Sequence, residues 1–375
     1  MRRDFPLADP VSHIRRHQPD HAQIYFCPDV LHRTARRFVD GFPGLVTYAV
    51  KANAGREVLE NLSAAGLTAF DVASPAEMQA VRAVDPGAAL HYNNPVRSRD
   101  EITQAAGHDV VSWSVDDDAE LDKIGQAAAG AEVAVRLALP VPGAAYDFGS
   151  KFGVGPEAAA ALLARVADRG HVPAITFHPG TQCTDPEAWV AYIDASAAVA
   201  RKAGVRLARL NVGGGFPAHR SGDAPELGAI FAAIARAVAR AFGADAPALV
   251  CEPGRAMVAE AFTLGTRIKA LRPGGAVFLN DGIYGGLSEL RDIGPTDRVR
   301  IVAPDGTPRH APASDRVVFG PTCDSLDRLP APLGLPGDIE EGDYVLFSGL
   351  GAYSLSISTR FNGYGLGDPV TVARL

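Results

Sequence analysis

The stretch LVTYAVKANAGREVLENLSAAGLTAFDVAS, residues 45–74, holds one full period of this chain. It opens on a short apolar, β-branched run, LVTYAVKAN (45–53). An Ala- and Leu-rich segment, AGREVLENLSAAG (54–66), follows, and a second run, TAFDVAS (68–74), closes it. The flanking runs read as buried strands, and the middle has the three-and-four spacing of one helix face. The texture then repeats in AALHYNN (88–94), DVVSWSV (109–115), EVAVRLALP (132–140), AITFHPG (174–180), RLNVGGGFP (209–217) and ALVCEPGR (248–255). Helix candidates such as SPAEMQAVRAV and PEAAAALLARVADRG lie between them. Ser74 before Pro75, with Glu77 close behind, marks a helix start. Strands alternating with helices imply parallel βαβ units, and eight of them predict a (β/α)8 barrel.

After Arg255 the period changes. AEAFTLGTRIKAL, GGAVFLND, DRVRIVAP and GDYVLFSG are strand-like, separated by Gly, Pro and Asp. They predict an antiparallel β domain. The early run QIYFCP (23–28) precedes the barrel and could pair with it.

Composition bounds the function. Of 375 residues, 47% are hydrophobic and 21% charged, an ordinary globular balance. The net charge of −7 offers no electrostatic footprint for nucleic acid. No apolar run approaches the roughly 18 residues of a membrane span, and the N-terminus lacks the apolar segment of a signal peptide. The expectation is a cytoplasmic protein with no membrane or nucleic-acid partner. Cys27, Cys183, Cys251 and Cys323 are far apart, so a metal knuckle or disulfide framework is not expected. Each is a buried small hydrophobe or a reactive thiol.

The C-terminal ends of barrel strands form the catalytic face of this architecture. Several unusual residues stand there. Lys51 ends the first run, Asp71 the second and His178 the sixth. Gly213, Gly214 and Gly215 end the seventh, and Glu252, Gly254 and Arg255 end the eighth. Alone, a strand-end Lys reads as a solvated residue and a lone His as a structural one. Together they supply an amine able to form a Schiff base, backbone N–H groups able to close on a phosphate, an Arg and an acid. That combination suits pyridoxal 5′-phosphate.

At this point the chain resembles a known family. YAVKAN, FDVAS, FHPGTQ, GGGFP, EPGR, NDGIYG, GPTCDSLD and GAY occur in the order seen in fold-type III pyridoxal-phosphate decarboxylases. These are the ornithine/diaminopimelate/arginine decarboxylases, whose fold is alanine-racemase-like: a (β/α)8 barrel with a C-terminal antiparallel β-barrel or sandwich. The GPTCDSLDRL, GAY and FNGY stretches are most similar to the ornithine/lysine branch. The resemblance covers about residues 20–365 and implies a barrel over 29–257, with 1–28 and 258–375 forming the β domain.

The resemblance also implies roles. Lys51 would hold the cofactor and His178 would stack on its ring, with Asp71 and Gly254 completing the cofactor site. Thr181, where relatives often carry Ser, would bind the phosphate together with Gly213, Gly214, Gly215, Arg255 and Tyr353. Glu252 would keep the ring nitrogen protonated, favouring CO2 loss, whereas alanine-racemising relatives place an Arg there. Cys323 and Asp324, contributed across a homodimer, would protonate the product carbon and pair with the substrate's distal ammonium. Tyr284 and Phe361 would contact the substrate. Two departures stand out. Pro179 replaces a common Val. GGLSELRDIGP does not align with the family's substrate-side Tyr-Asp pair, where Asp292 stands in, offset by one position.

The implied reaction is decarboxylation of a basic L-amino acid, with L-ornithine to putrescine ahead of lysine and arginine. Diaminopimelate is disfavoured by Asp324. A non-catalytic regulatory homologue is the competing class, and the retained Lys51, Glu252, Arg255 and Cys323 argue against it.

Overall fold

The computed structural model describes residues 7–140 and 151–375. It divides into two compact units: Ala35–Pro217 with Pro225–Met257, and Ala218–Ala224 with Val258–Leu375 and the chain before Ala35.

The first unit is a ring of parallel strands. Their order is Leu45–Val46, Ala248–Cys251, Arg209–Asn211, Val172–Phe177, Glu132–Leu137, Val110–Val115, Ala89–Tyr92, Ala69–Val72 and Tyr48–Ala49. The first and last of these are the two halves of the single run read from sequence. Leu45–Val46 pairs with Ala248–Cys251 and Tyr48–Ala49 pairs with Ala69–Val72, so this divided strand closes an eight-position barrel. Thr47, between the halves, donates its N–H and hydroxyl to the carbonyl of Cys251 (2.9 and 3.0 Å). The break therefore leaves no polar group unmet.

The helices start where the sequence signals them. The Ser74 hydroxyl accepts the N–H of Glu77 (3.3 Å), Pro75 occupies the first turn, and the Glu77 carboxylate accepts the N–H of Ala73 (2.7 Å). Ser98 and Glu101 form a reciprocal capping box. One segment departs from the sequence reading. The helix Leu227–Phe242 and the turn to Asp245 reach a mean hydropathy of 1.5 over a membrane-span length. Its Leu227, Ile230, Phe231, Ile234 and Val238 are buried, and Phe231 packs edge-on against Phe38, Phe42 and Phe216. The hydropathy belongs to a helix covering the barrel.

In the second unit, Phe262–Leu271 pairs antiparallel with Gln23–Phe26, Tyr344–Ser348 and Val277–Leu279. QIYF thus joins this sheet, not the barrel. Two short parallel pairings lie at the margins, Gln23–Phe26 with Val370–Thr371 and Val277–Leu279 with Val318–Phe319. A six-residue helix, Ser288–Ile293, occupies the GGLSELRDIGP stretch that does not align with the family's Tyr-Asp pair. Residues 218–224 belong to this unit although the sequence reading kept them within 29–257. The reason is polar: the Arg220 guanidinium donates to the carbonyl of Gly294 (2.5 Å), its own carbonyl accepts the Thr296 hydroxyl (2.7 Å), and Gly222 N–H reaches Asp297 (3.1 Å).

Candidate active site

The barrel gathers its strand-end residues into one cluster. Lys51 sits in the 3-10 turn Val50–Ala52 directly after Tyr48–Ala49. The turn is held by the Tyr48 hydroxyl, which donates to the carbonyl of Asn53 (3.0 Å). Lys51 Nζ lies 3.9 Å from Asp71 Oδ2; 48% of the Lys51 side chain is accessible against 4% for Asp71. The amine is reachable from outside while its counter-ion is not. Gly254 crosses close to this turn, and a Cβ there would lie 3.1 Å from that of Ala52.

Two carboxyls share the interior. Glu252 accepts the side-chain amides of Asn93 (2.5 Å) and Asn211. Burial, then the nearby Asp71, pushes its pKa above the usual carboxylate range, against the pull of Lys51 and Arg136. Asp71 is pushed the same way by burial, opposed by Lys51, Asn93 and Arg136. His178 is driven well below the usual imidazole range by burial first, then by Lys51 and Arg136, so its ring is neutral at physiological pH. Its Nδ1 accepts the N–H of Gly180 (3.0 Å), which puts the ring proton on Nε2.

Nε2 faces the glycine run. A Cβ on Gly214 would lie 3.1 Å from it, one on Gly213 would lie 2.0 Å from the carbonyl oxygen of Phe177, and one on Gly215 2.2 Å from that of Gly180. Gly213 and Gly215 also have φ of +68° and +83°. No other residue fits this cradle. The loop carrying Thr181 is tied to it, because Cys183 N–H donates to the carbonyl of Gly215 (2.9 Å). Arg255 opens the short helix Arg255–Val258 just beyond Glu252.

These residues fit pyridoxal phosphate. They supply a reachable amine, a glycine cradle whose backbone can approach a phosphate, a neutral imidazole against it, and a buried acid. A protonated ring nitrogen beside Glu252 would offset the cost of ionising that acid.

The second unit carries the remaining predicted residues. Tyr284 Oη donates to Asp324 Oδ2 (2.5 Å), and Leu326 N–H donates to Asp324 Oδ1 (2.9 Å). The Tyr284 bond, then that N–H, holds the Asp324 carboxyl below its usual range. Phe361 stands edge-on to Tyr284 at 5.5 Å. Cys323 N–H donates to Asn362 Oδ1 (3.0 Å), and its thiol is exposed. Tyr353, in the GAY loop, has a φ of +64°. Asp292 is not drawn in: half-exposed, it accepts its neighbour Arg291 Nε (2.9 Å). The other three cysteines are buried, and burial pushes the thiols of Cys183 and Cys251 upward. They are core residues.

Several residues escaped the sequence reading. Asn93, Asn211 and Arg136 surround the two interior carboxyls. Polar residues closing HYNN and RLN were the available signal. In the second unit, the buried Asp327 carboxylate accepts the N–H of Ile283 (3.0 Å) and the N–H and hydroxyl of Thr322 (3.1 and 2.8 Å). It fixes the loop of Cys323 and Asp324 beside that of Tyr284.

Comparison with known proteins agrees with this geometry. Residues 29–259 match the family model described as pyridoxal-dependent decarboxylase, pyridoxal binding domain. Ornithine decarboxylase of Mus musculus is 31% identical over 341 residues, covering 84% of this chain and 73% of the relative. Lysine/ornithine decarboxylase of Selenomonas ruminantium is 33% identical over 334 residues, covering 87% and 82%. The structure of arginine decarboxylase from Paramecium bursaria Chlorella virus superimposes with a TM-score of 0.84 at 26% identity, covering 94% of this chain and 97% of that one. With a matching model over most of the barrel and relatives spanning both units, the chain belongs to the pyridoxal-dependent amino-acid decarboxylases.

Proposed function

We propose that this enzyme decarboxylates a basic L-amino acid, with L-ornithine preferred and putrescine the product. The observation that carries the reading is the pairing of two opposed carboxyls. Glu252 is buried and costly to ionise, whereas Asp324 is only half-buried and is held ionised by Tyr284 and the N–H of Leu326 before any substrate arrives. The first asks for a protonated ring nitrogen and the second for a distal ammonium.

When bound, pyridoxal phosphate would supply the electron sink for the pair left on the substrate carbon when CO2 departs. The chain's own groups do the rest. Lys51 Nζ would be the group that holds the cofactor by its aldehyde carbon. The cradle Gly213–Gly215, with Thr181, Arg255 and Tyr353, holds the phosphate; Asp71 sets the position of Lys51 Nζ. Neutral His178 would lie against the cofactor without adding a charge. Glu252 keeps a proton on the ring nitrogen, which is where electron withdrawal is needed. Cys323 Sγ delivers a proton to the carbon that has lost CO2.

In this reading Cys323 and Asp324 serve the barrel of a second copy in a homodimer. Supporting it, both lie on an exposed loop of the β unit, accompanied by accessible apolar side chains: Leu326 at 68%, Ile357 at 45% and Phe361 at 44%. Exposed apolar side chains on these loops suit a protein partner. Lysine is the second substrate. It is one methylene longer, a difference worth only about 1–3 kcal/mol, and Asp292, the residue expected to measure length, is paired with Arg291. A diaminopimelate carboxylate would face the ionised Asp324. A purely regulatory homologue has no need of this intact donor set.

The test is CO2 release by the loaded enzyme from ornithine, lysine, arginine and diaminopimelate. Turnover of ornithine first, lysine second, is expected. Turnover of diaminopimelate alone, or of none while the cofactor is bound, would overturn the assignment.

A further inference from the structure

Beyond the groups that touch the cofactor, one buried side chain grips the glycine cradle from outside, and the inference drawn from it rests on the cofactor reading above. Trp189, on the helix Glu187–Ala203, is fully buried. Its indole N–H donates to the carbonyl of Val212 (3.2 Å), the residue preceding the cradle. Its ring stacks on Phe216, the residue following it, with centroids 5.1 Å apart and planes 29° apart. One side chain therefore holds both ends of Gly213–Gly215.

The Val212 carbonyl and the Gly213 N–H belong to one planar peptide group. On its carbonyl side that group is held by Trp189; on its N–H side it donates to Asn211 Oδ1 (2.9 Å). The amide of Asn211 in turn donates to Glu252. A continuous series of donors and acceptors thus runs from the indole, through the first peptide of the cradle, to the acid at the ring-nitrogen end. In a low-dielectric interior, hydrogen bonds in series polarise one another. The remaining anchors of the cradle are backbone bonds: Val212 N–H to Val250 O (2.8 Å), Glu252 N–H to Gly213 O (2.8 Å) and Cys183 N–H to Gly215 O (2.9 Å). None of these fixes the rotation of the Val212–Gly213 peptide plane from its carbonyl side.

We infer that Trp189 is a positioning residue for the cofactor: through the Val212–Gly213 peptide it sets both the phosphate cradle and the hydrogen-bonded orientation of Asn211 against Glu252. It touches neither cofactor nor substrate. Its effect should appear in cofactor affinity and in the protonation behaviour of the bound cofactor, beyond any change in folding stability.

The test is Trp189→Phe, which keeps an aromatic ring on Phe216 and removes the donor. The full-length protein is stripped of cofactor and titrated with pyridoxal phosphate, followed by visible absorbance. Loss of one partner of a buried hydrogen bond predicts a Kd raised about 3- to 30-fold, with a shift in the pH at which the visible band changes form. Trp189→Leu, which loses the stack as well, should weaken binding further. Replacing the indole by the isosteric benzothiophene analogue removes only the N–H, so it decides the matter if Trp189→Phe does not fold. An unchanged Kd and pH profile in the analogue, with only a lower melting temperature of the stripped protein, would overturn the inference. If the wild-type protein takes up no pyridoxal phosphate, the cofactor reading itself fails, an outcome distinct from a wild type that binds and a variant that binds equally well.

Discussion

Glu252 and Asp324 are both carboxylates expected to act in one reaction, yet their surroundings push them in opposite directions. Glu252 is enclosed by the barrel, hydrogen-bonded by two asparagine amides, and raised by burial and by Asp71. Asp324 sits on an exposed loop and is lowered by the Tyr284 hydroxyl and the N–H of Leu326. Enclosure makes one acid dependent on a partner charge; preorganised donors make the other an anion in advance. The lesson is that residue type alone assigns neither role. The barrel residues fit one fixed cofactor; the substrate role proposed for the loop is what the following experiments test.

The largest effect should come from the barrel side. Lys51→Ala should abolish both turnover and the visible absorbance of bound cofactor. If the loop side serves a second copy, mixing inactive Lys51→Ala with inactive Cys323→Ala should restore at most about a quarter of wild-type activity, from random pairing of twofold-related subunits. No recovery despite proven subunit exchange would mean that both regions serve the same chain.

Next comes Asp324→Ala. Removing the partner of a desolvated ammonium should lower kcat/KM for ornithine by about 30- to 5000-fold. Cofactor absorbance should be retained, because Asp324 is proposed to contact the substrate and not the cofactor. A fall in cofactor occupancy would blur the division between the regions. Asp292→Ala should do less. Asp292 is paired with Arg291 and not drawn into the site, so its loss should leave the ornithine-to-lysine ratio of kcat/KM within about twofold and cofactor affinity unchanged. A larger loss shared by both substrates would place Asp292 in the general architecture instead.

The smallest effect is on acid stability. His91, inside the barrel, bonds Ser112 Oγ (2.7 Å), and its pKa is pushed down to about 3 by burial and then by Arg209. Its folded pKa lies below the unfolded value of 6.5, so the unfolded chain takes up a proton that the folded one refuses. Stability is therefore lost as pH falls from 6.5 toward 3, by up to about 1.4 kcal/mol per pH unit. His91→Gln should flatten the slope of unfolding free energy between pH 6.5 and 4, measured by urea melts. Asp324→Asn should leave that slope unchanged, since a lowered acid gives up its contribution only below its unfolded value of 3.8. Equal slopes for His91→Gln and wild type would show that another group controls acid unfolding.

Much of this was legible along the chain. The eight runs and their helices appear in order, and Ser74, Pro75 and Glu77 cap a helix as their types suggest. Lys51, Asp71, His178, the three glycines and Glu252 were found by their place at strand ends. Less legible were the groups that make those residues work. Asn93 and Asn211 look like ordinary turn formers until both prove to donate to Glu252, and Arg136 hides within an apolar strand. Asp327 reads as a loop acid, although it binds three donors from two loops. The helix Leu227–Phe242 shows the opposite case, because hydropathy reports burial without saying what does the burying.

By itself, then, the sequence determined the periods of two and of three to four, hence a parallel barrel followed by a β unit, and the identity of the amine, cradle and acids at strand ends. Those are local properties, written in neighbouring residues. The tertiary structure decided which acid is fully buried and which is held by donors at a half-buried position, which amides meet Glu252, that the first strand divides at Thr47 to close the ring, and that Trp189 reaches the cradle. Each of these depends on residues far apart in the chain meeting in three dimensions. The desolvation, hydrogen bonding and charge proximity that set a side chain's chemistry arise only from such meetings.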